Sequence, residues 1–247
     1  MTEKQEENKE LNISNHAKTE FESFIFESLK SGGSHIVANK SHGKTRLMFC
    51  IAENLADKEE ARTIIFDGSE TWLYSFSKIP VFNVGEHDIL SRERSNSEDL
   101  EKFSLENENL VKLALAKEKN ILFRLKTRKP SKRGFFIRTV VNYLDAQQRA
   151  EKEKSKEHEN KKCIAFLLEE AQNAFNSRST SSTENETFLS VFSEARNQSI
   201  AFFTASQRLN DFSKTIRASN FNKRPIERND VFMTERLWDF QLRSSRL

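Results

Sequence analysis

The chain has 247 residues, of which 36 % are hydrophobic and 31 % charged, with a formal net charge of +3; that bounds one α/β domain, or a domain with a small appendage, around a single core. So small a net charge excludes a global field that would announce a nucleic-acid partner, and only local clusters can argue for one. No run approaches the roughly 18 apolar residues of a membrane span, and Cys50 and Cys163, both in apolar segments, read as buried free thiols rather than a disulfide framework.

Residues 1–17 (MTEKQEENKELNISNHA) read as a flexible polar N-terminus, too polar to bury anything and the opposite of a signal peptide. A single domain over 18–247 and a cytoplasmic location are the corresponding expectations. Phe21, Phe24, Ile25 and Leu29 recur at helical spacing, which predicts a short amphipathic helix over 19–30, stopped by Ser31-Gly32-Gly33. The stretch SHIVANKSHGKTRLMF (34–49) begins β-prone and apolar, passes through a loop and leads into a helix over 44–56. Leu47, Met48, Cys50, Ile51 and Leu55 form its buried side.

A second strand is expected over 62–66 (RTIIF), ending at Asp67-Gly68, and a third over 79–84 (IPVFNV), where Pro80 argues for an edge. Residues 86–109 are polar and carry no assignment. A helix over 110–118 and a strand over 120–125 (NILFRL) precede a basic loop over 126–133 (KTRKPSKR), broken by Pro130. A long helix is expected from Gly134 to about 153, with Phe135, Phe136, Val140, Val141 and Leu144 on its apolar face. Its later turns and EKEKSKEHENKK read as a solvated helix end and loop. CIAFLL (163–168) is a near-continuous apolar run, the mark of a central parallel strand. A loop over 177–186, a helix over 188–196 and a buried strand over 200–205 (IAFFTA) follow; from 208 onward helix and short strand are weakly specified. Strands alternating with helices give an α/β fold, a mainly parallel central sheet with helices on both faces.

The loop Ala38-Asn39-Lys40-Ser41-His42-Gly43-Lys44-Thr45 lies between a strand and a helix. That is where phosphate binds, because loop amides and a helix N-terminus point at the anion. Gly43 would let the backbone approach closely, Lys44 would reach the β and γ phosphates, and the Thr45 hydroxyl would hold Mg²⁺. The usual pattern is G-x-x-x-x-G-K-[ST], and Ala38 stands at its first glycine. The second signal is IAFLLEEAQ (164–172). A buried strand ending in two carboxylates needs a reason, and Mg²⁺-nucleotide is one. Glu169 could hold the metal through water and Glu170 could polarise the attacking water. The same pair also suits an ordinary helix start, where acids are favoured. The third signal is IAFFTASQR (200–208), a core strand ending in Thr204, Ser206 and Gln207. Gln207 could sense the γ-phosphate from a neighbouring strand, or could simply cap it. His35, His42 and His87 have no partners at ligand spacing and read as core, loop or surface histidines.

The order of these pieces resembles the HerA/FtsK group of P-loop ATPases, ring-shaped DNA pumps, and especially the HerA-like branch. ANKSHGKT is similar to its Walker A loop and TIIFDG to its next strand. IAFLLEEAQ is similar to its Walker B strand, and SEARNQSIAFFTASQRLNDFSKTI to its helix, arginine, strand and terminal Gln-Arg. The likeness spans roughly Ser34 to Asn220. It implies a RecA-like P-loop NTPase domain of the ASCE type, with ATP and Mg²⁺ as cofactors. It also implies a homo-oligomeric ring, a hexamer, that translocates or packages double-stranded DNA. Arg196, in the "EAR" before the sensor strand, is the best match to the arginine such rings supply to a neighbour's site; Arg208 and Arg217 are alternatives.

Three departures stand out. The first loop glycine is missing, the polar ending after the NILF strand is basic, and only a helix precedes the loop strand where the family has a barrel domain. The expectation is therefore a bare motor core similar to viral genome-packaging ATPases and plasmid-borne relatives, with a capsid, portal or nuclease as docking protein. KTRKPSKR, five cations in eight residues, either contacts DNA phosphates or is a solvated loop. Two competitors remain open: an ATPase of a protein secretion or conjugation assembly, and a nucleotide-binding scaffold that does not turn over.

Overall fold

The apolar runs become the middle of a sheet. The computed structural model describes residues 18–37, 43–57, 61–67, 79, 81–84, 102–103, 112, 115–116, 119–125, 130–154, 163–171, 190–207 and 222–225. Among them, eight strands form one sheet: β1 (Gly33–Val37), β2 (Ala61–Asp67), β3 (Val81–Val84), β4 (Lys102–Phe103), β5 (Ile121–Leu125), β6 (Cys163–Leu168), β7 (Ile200–Ser206) and β8 (Asn222–Pro225). Their order is β4-β3-β5-β2-β6-β7-β1-β8, and every neighbouring pair is parallel. Three longer helices are α1 (18–31), α2 (Lys44–Asp57) and α3 (Pro130–Lys154). A helical turn over 190–194 runs into the 3-10 turn Ala195–Gln198.

A parallel sheet covered on both faces needs strands that are apolar on both sides, and β6 meets this with Ile164 to Leu168 all buried. On one face, Ile36, Ile65, Leu122, Ala165, Leu167, Ala201 and Phe203 pack against Ile25 of α1 and Met48, Ile51, Ala52 and Leu55 of α2. On the other, Ile64, Phe66, Phe123, Phe166, Leu168 and Phe202 pack against Phe136, Ile137, Val140, Val141 and Leu144 of α3. This second face is rich in phenylalanine. Phe123, Phe66, Phe166 and Phe202 form a row across β5, β2, β6 and β7, with stacked centroids 5.8, 6.3 and 5.3 Å apart in turn. Phe136 closes the row edge-on to Phe66 and Phe123. The result is the expected α/β architecture, a parallel sheet with helices on both faces, in which β7 separates the loop strand β1 from β6.

Where β1 meets β7 there is no room for a side chain at Gly33. Gly33 sits opposite Phe202, and the Phe202 N–H donates to the Gly32 carbonyl at 2.9 Å. Gly33 has φ 136°, and a Cβ there would lie 2.1 Å from the Phe202 carbonyl oxygen, so only glycine fits. Beneath it, the buried His35 pairs its Nδ1 with the Thr204 hydroxyl across the two strands. His35 is therefore a core histidine, and Thr204 a core partner rather than part of a site.

Several expectations need correction. β3 is not an edge strand; β4, two residues long, lies outside it, and Pro80 stands just before its first residue. Pro130 does not break a loop but opens α3, where its missing N–H costs nothing because the first helical donors have no intrahelical acceptor. Phe135 is 43 % exposed and off the apolar face, whereas Ile137, not assigned to that face, is buried. The helix placed over 188–196 is α-helical over 190–194 and 3-10 from Ala195. Both cysteines are free thiols, but only Cys50 is fully buried. The helix expected over 110–118 lies largely outside the described residues, as do the segment 1–17 and the loop over 177–186.

Candidate functional site

Because all the strands are parallel, the segments that leave their C-terminal ends share one edge. Val37 is in register with Ser206, Thr204 with Leu168, and Leu168 with Phe66. Val37 at the end of β1, the acids after β6, Gln207 after β7 and Asp67 at the end of β2 therefore gather there. Ala38, Asn39, Lys40, Ser41 and His42 lie outside the described residues. The loop re-enters at Gly43, whose φ of 74° is left-handed. Its carbonyl accepts the first helical hydrogen bond of α2, from the Leu47 N–H at 2.9 Å. Lys44 and Thr45 thus occupy the first turn of α2, at the positive end of its dipole.

The Thr45 hydroxyl donates to Glu169 Oε1. These residues are 124 apart in sequence, and the contact joins the two segments that sequence reasoning had paired. Glu169 continues the alternation of Ala165 and Leu167, which faces α2. Lys44 feels the charge of both acids. Burial pushes its ammonium below the usual lysine value, and the Glu169 and Glu170 carboxylates oppose that shift. Glu170 turns the other way: its φ is 51°, and its Oε2 lies 3.9 Å from Arg133 Nη1, in the first turn of α3. A hydroxyl touching a carboxylate is an oxygen donor set that suits Mg²⁺, which takes one or two protein oxygens and leaves other positions to water and phosphate. Among the described residues no group of three or more His, Cys, Asp or Glu could cage a metal alone.

The remaining assigned residues fall in different places. Gln207 is exposed, immediately after β7, at the same edge. Ser206 is buried. Arg196 belongs to the 3-10 turn that enters β7 from the opposite edge, so it is not beside Lys44 or Glu170 of its own chain. Arg208 and Arg217 lie outside the described residues. Two residues were not singled out for the site. Asp67 is fully buried at the end of β2, in register with Arg124. Arg133 had been grouped with a basic loop; reading Pro130 as a first helical residue would have placed it on a helix start facing the sheet edge.

No protein-family model matches the chain, and no curated protein does. Among solved structures, the chain is similar to the genome packaging NTPase B204 from Sulfolobus turreted icosahedral virus 2. In complex with AMPPCP, that protein is 11 % identical over 76 % of this chain and 71 % of that one, with a TM-score of 0.46. With ATP-gammaS the identity is 13 %, the coverage 83 % and 81 %, and the TM-score again 0.46. EssC (ATPases 2 and 3) from Geobacillus thermodenitrificans is 14 % identical over 83 % of this chain and 34 % of that one, with a TM-score of 0.37.

Proposed function

We propose that this chain is an ATP-hydrolysing motor that translocates or packages double-stranded DNA as a homo-oligomeric ring, a hexamer. The observation that carries the ATPase reading is the meeting of Thr45 with Glu169, at the edge where Lys44 feels the charge of both Glu169 and Glu170. In this reading the loop 38–45 and Lys44 hold the phosphates. Thr45 and Glu169 hold Mg²⁺, which when bound with nucleotide neutralises phosphate charge. Glu170 orients and polarises the attacking water, and Gln207 senses the nucleotide. Phosphoryl transfer asks little covalent chemistry of the protein, so positioning and charge of this kind suffice.

The DNA part rests on the resemblance of the sequence motifs and on KTRKPSKR, whose Arg133 end adjoins the site. Phosphate contacts of that kind supply affinity without sequence preference. One specific feature favours a second reading. Ala38 at the first loop glycine fits a scaffold that binds nucleotide without turnover. The test is the ATPase rate with and without duplex DNA, with native mass measured on the same sample. Turnover stimulated by DNA in a ring supports the proposal. Tight ATP binding without phosphate release supports the scaffold. Turnover that ignores DNA and rises only with a protein partner supports a secretion or conjugation motor.

A further inference from the structure

Glu169 and Glu170 are adjacent in sequence yet engage opposite sides of the sheet. Glu169 meets Thr45 of α2, and Glu170 meets Arg133 of α3. Glu169 continues the alternation of β6, and Glu170 follows it with φ 51°, a left-handed conformation that non-glycine residues seldom adopt. Such a residue persists only where its surroundings over-determine it, and it is a reason to ask what the conformation serves.

Beside Glu170 stands Arg133. The Glu170 side chain is 45 % exposed, so water alone would let its torsions average over many positions. Arg133 is the better-fixed partner, with a side chain 17 % exposed. Three residues on, Phe136 is buried edge-on against Phe66 and Phe123, at 6.3 and 5.2 Å. The first turns of α3 are thereby seated on the same core that carries β6. The Nη1–Oε2 distance of 3.9 Å is too long for a hydrogen bond. The guanidinium therefore attracts the carboxylate through charge rather than through a hydrogen bond between the two. Lys44, which feels the charge of the same carboxylate, opens the helix that follows the candidate phosphate loop.

We propose that Arg133 is a positioning residue for Glu170: the guanidinium fixes the carboxylate at the mouth of the phosphate loop, where it orients the attacking water. This rests on the reading that Glu170 activates water. It gives Arg133 a role within its own subunit, separate from any contact that the rest of KTRKPSKR makes with polymer phosphates.

The test is steady-state ATP hydrolysis, ATP binding and thermal melting on rings of wild type, Arg133→Ala, Arg133→Lys, Glu170→Gln and the double variant Arg133→Ala with Glu170→Gln. Arg133→Ala should lower kcat by about ten- to a hundred-fold, the usual cost of a catalytic group held loosely. KM for ATP and the melting temperature should stay near wild type, because the phosphate loop is untouched. Arg133→Lys should recover part of the loss, since an ammonium restores charge but not the planar fork. In the Glu170→Gln background the Arg133→Ala loss should disappear, because the two residues act as one unit. Wild-type kcat or faster in Arg133→Ala, or an undiminished loss in the double variant, would overturn the role. If Arg133→Ala fails to fold, Arg133→Gln, which keeps most of the stem, carries the same expectation. Should Glu170→Gln itself turn over like wild type, the water-activating reading falls first and the positioning role with it, an outcome separable from failure of Arg133 alone.

Discussion

Gly33→Ala offers a direct test of how β1 is seated. The new Cβ would sit 2.1 Å from the Phe202 carbonyl oxygen and 2.6 Å from its nitrogen, both main-chain atoms that cannot swing away. The φ of 136° is also a region L side chains rarely enter. Backbone strain of that kind costs about 1–3 kcal/mol. Relieving the overlap means moving β1 away from β7, which weakens the Phe202 N–H to Gly32 carbonyl bond, 2.9 Å long, and its ladder neighbour. Each lost hydrogen bond adds about 1 kcal/mol. The sum is about 3–5 kcal/mol, which for a chain of this size lowers the melting temperature by roughly 10 °C. Gly43→Ala is the matched control. Its φ of 74° is left-handed too, but nothing lies within 4 Å of the added Cβ. Its cost should be about 1 kcal/mol, a shift of a few degrees. Thermal and urea melts of both variants against wild type measure the difference. A Gly33→Ala melt no lower than that of Gly43→Ala would refute the close β1–β7 contact as the origin of the glycine.

Lys44→Ala should abolish hydrolysis and weaken ATP binding while melting near wild type; wild-type turnover would remove the loop assignment. Mixing Arg196→Ala subunits with Glu170→Gln subunits should restore part of the activity each lacks alone, because hybrid interfaces pair an intact arginine with an intact glutamate. Failure of every mixture, with rings still forming, would turn attention to Arg208 and Arg217. Burial pushes the Cys50 and Cys163 thiols up to about 12, so both should resist alkylation at pH 8 in the native protein and react promptly in urea. The sign follows from linkage: the unfolded thiols ionise first as pH rises, so the stabilisation present below pH 9 is lost between about pH 9 and 12. A urea midpoint that does not fall from pH 8 to pH 10 would contradict this.

Legibility tracked how fully an element is buried. β6 matched its expected bounds, because a strand covered on both faces is apolar throughout and ends where the acids begin. β7 and α2 matched to within a residue for the same reason. β4 was invisible: two residues, Lys102–Phe103, carry no periodicity. The start of α3 was misjudged because Pro130 and a run of cations look like a loop, although proline suits a first helical turn. Phe135 was placed inward from hydrophobicity alone, and Ile137 better fits the stripe of Phe136, Val140, Val141 and Leu144. The candidate residues could be listed from the sequence, but not their arrangement. Lys44, Thr45 and Glu169 could be named because strand, loop and helix punctuate them. That Thr45 touches Glu169 depends on strand order, which no local pattern encodes. The turn at Glu170 was hidden further, since a left-handed glutamate carries no glycine to mark it.

The same strand order bears on how a complete site would be assembled. Lys44, Thr45, Glu169, Glu170 and Gln207 all lie at or beyond strand C-termini, whereas Arg196 lies before the N-terminus of β7. A strand of seven residues separates that turn from Gln207, roughly 20 Å at the usual rise. No arginine side chain spans that distance, so Arg196 could serve a site only in another copy of the chain. The turn that carries it is braced from α3: Arg149 bonds both Asp145 and Glu194, at 2.8 and 3.0 Å, and the Lys152 ammonium donates to the Asn197 carbonyl at 3.3 Å. α3 thus touches Glu170 through Arg133 at one end and the Arg196 turn at the other. In a head-to-tail interface that closes into a ring, each subunit presents one such edge and receives the other. The strand-end edge that carries Glu170 and the turn that carries Arg196 are therefore linked by one helix seated on one phenylalanine row.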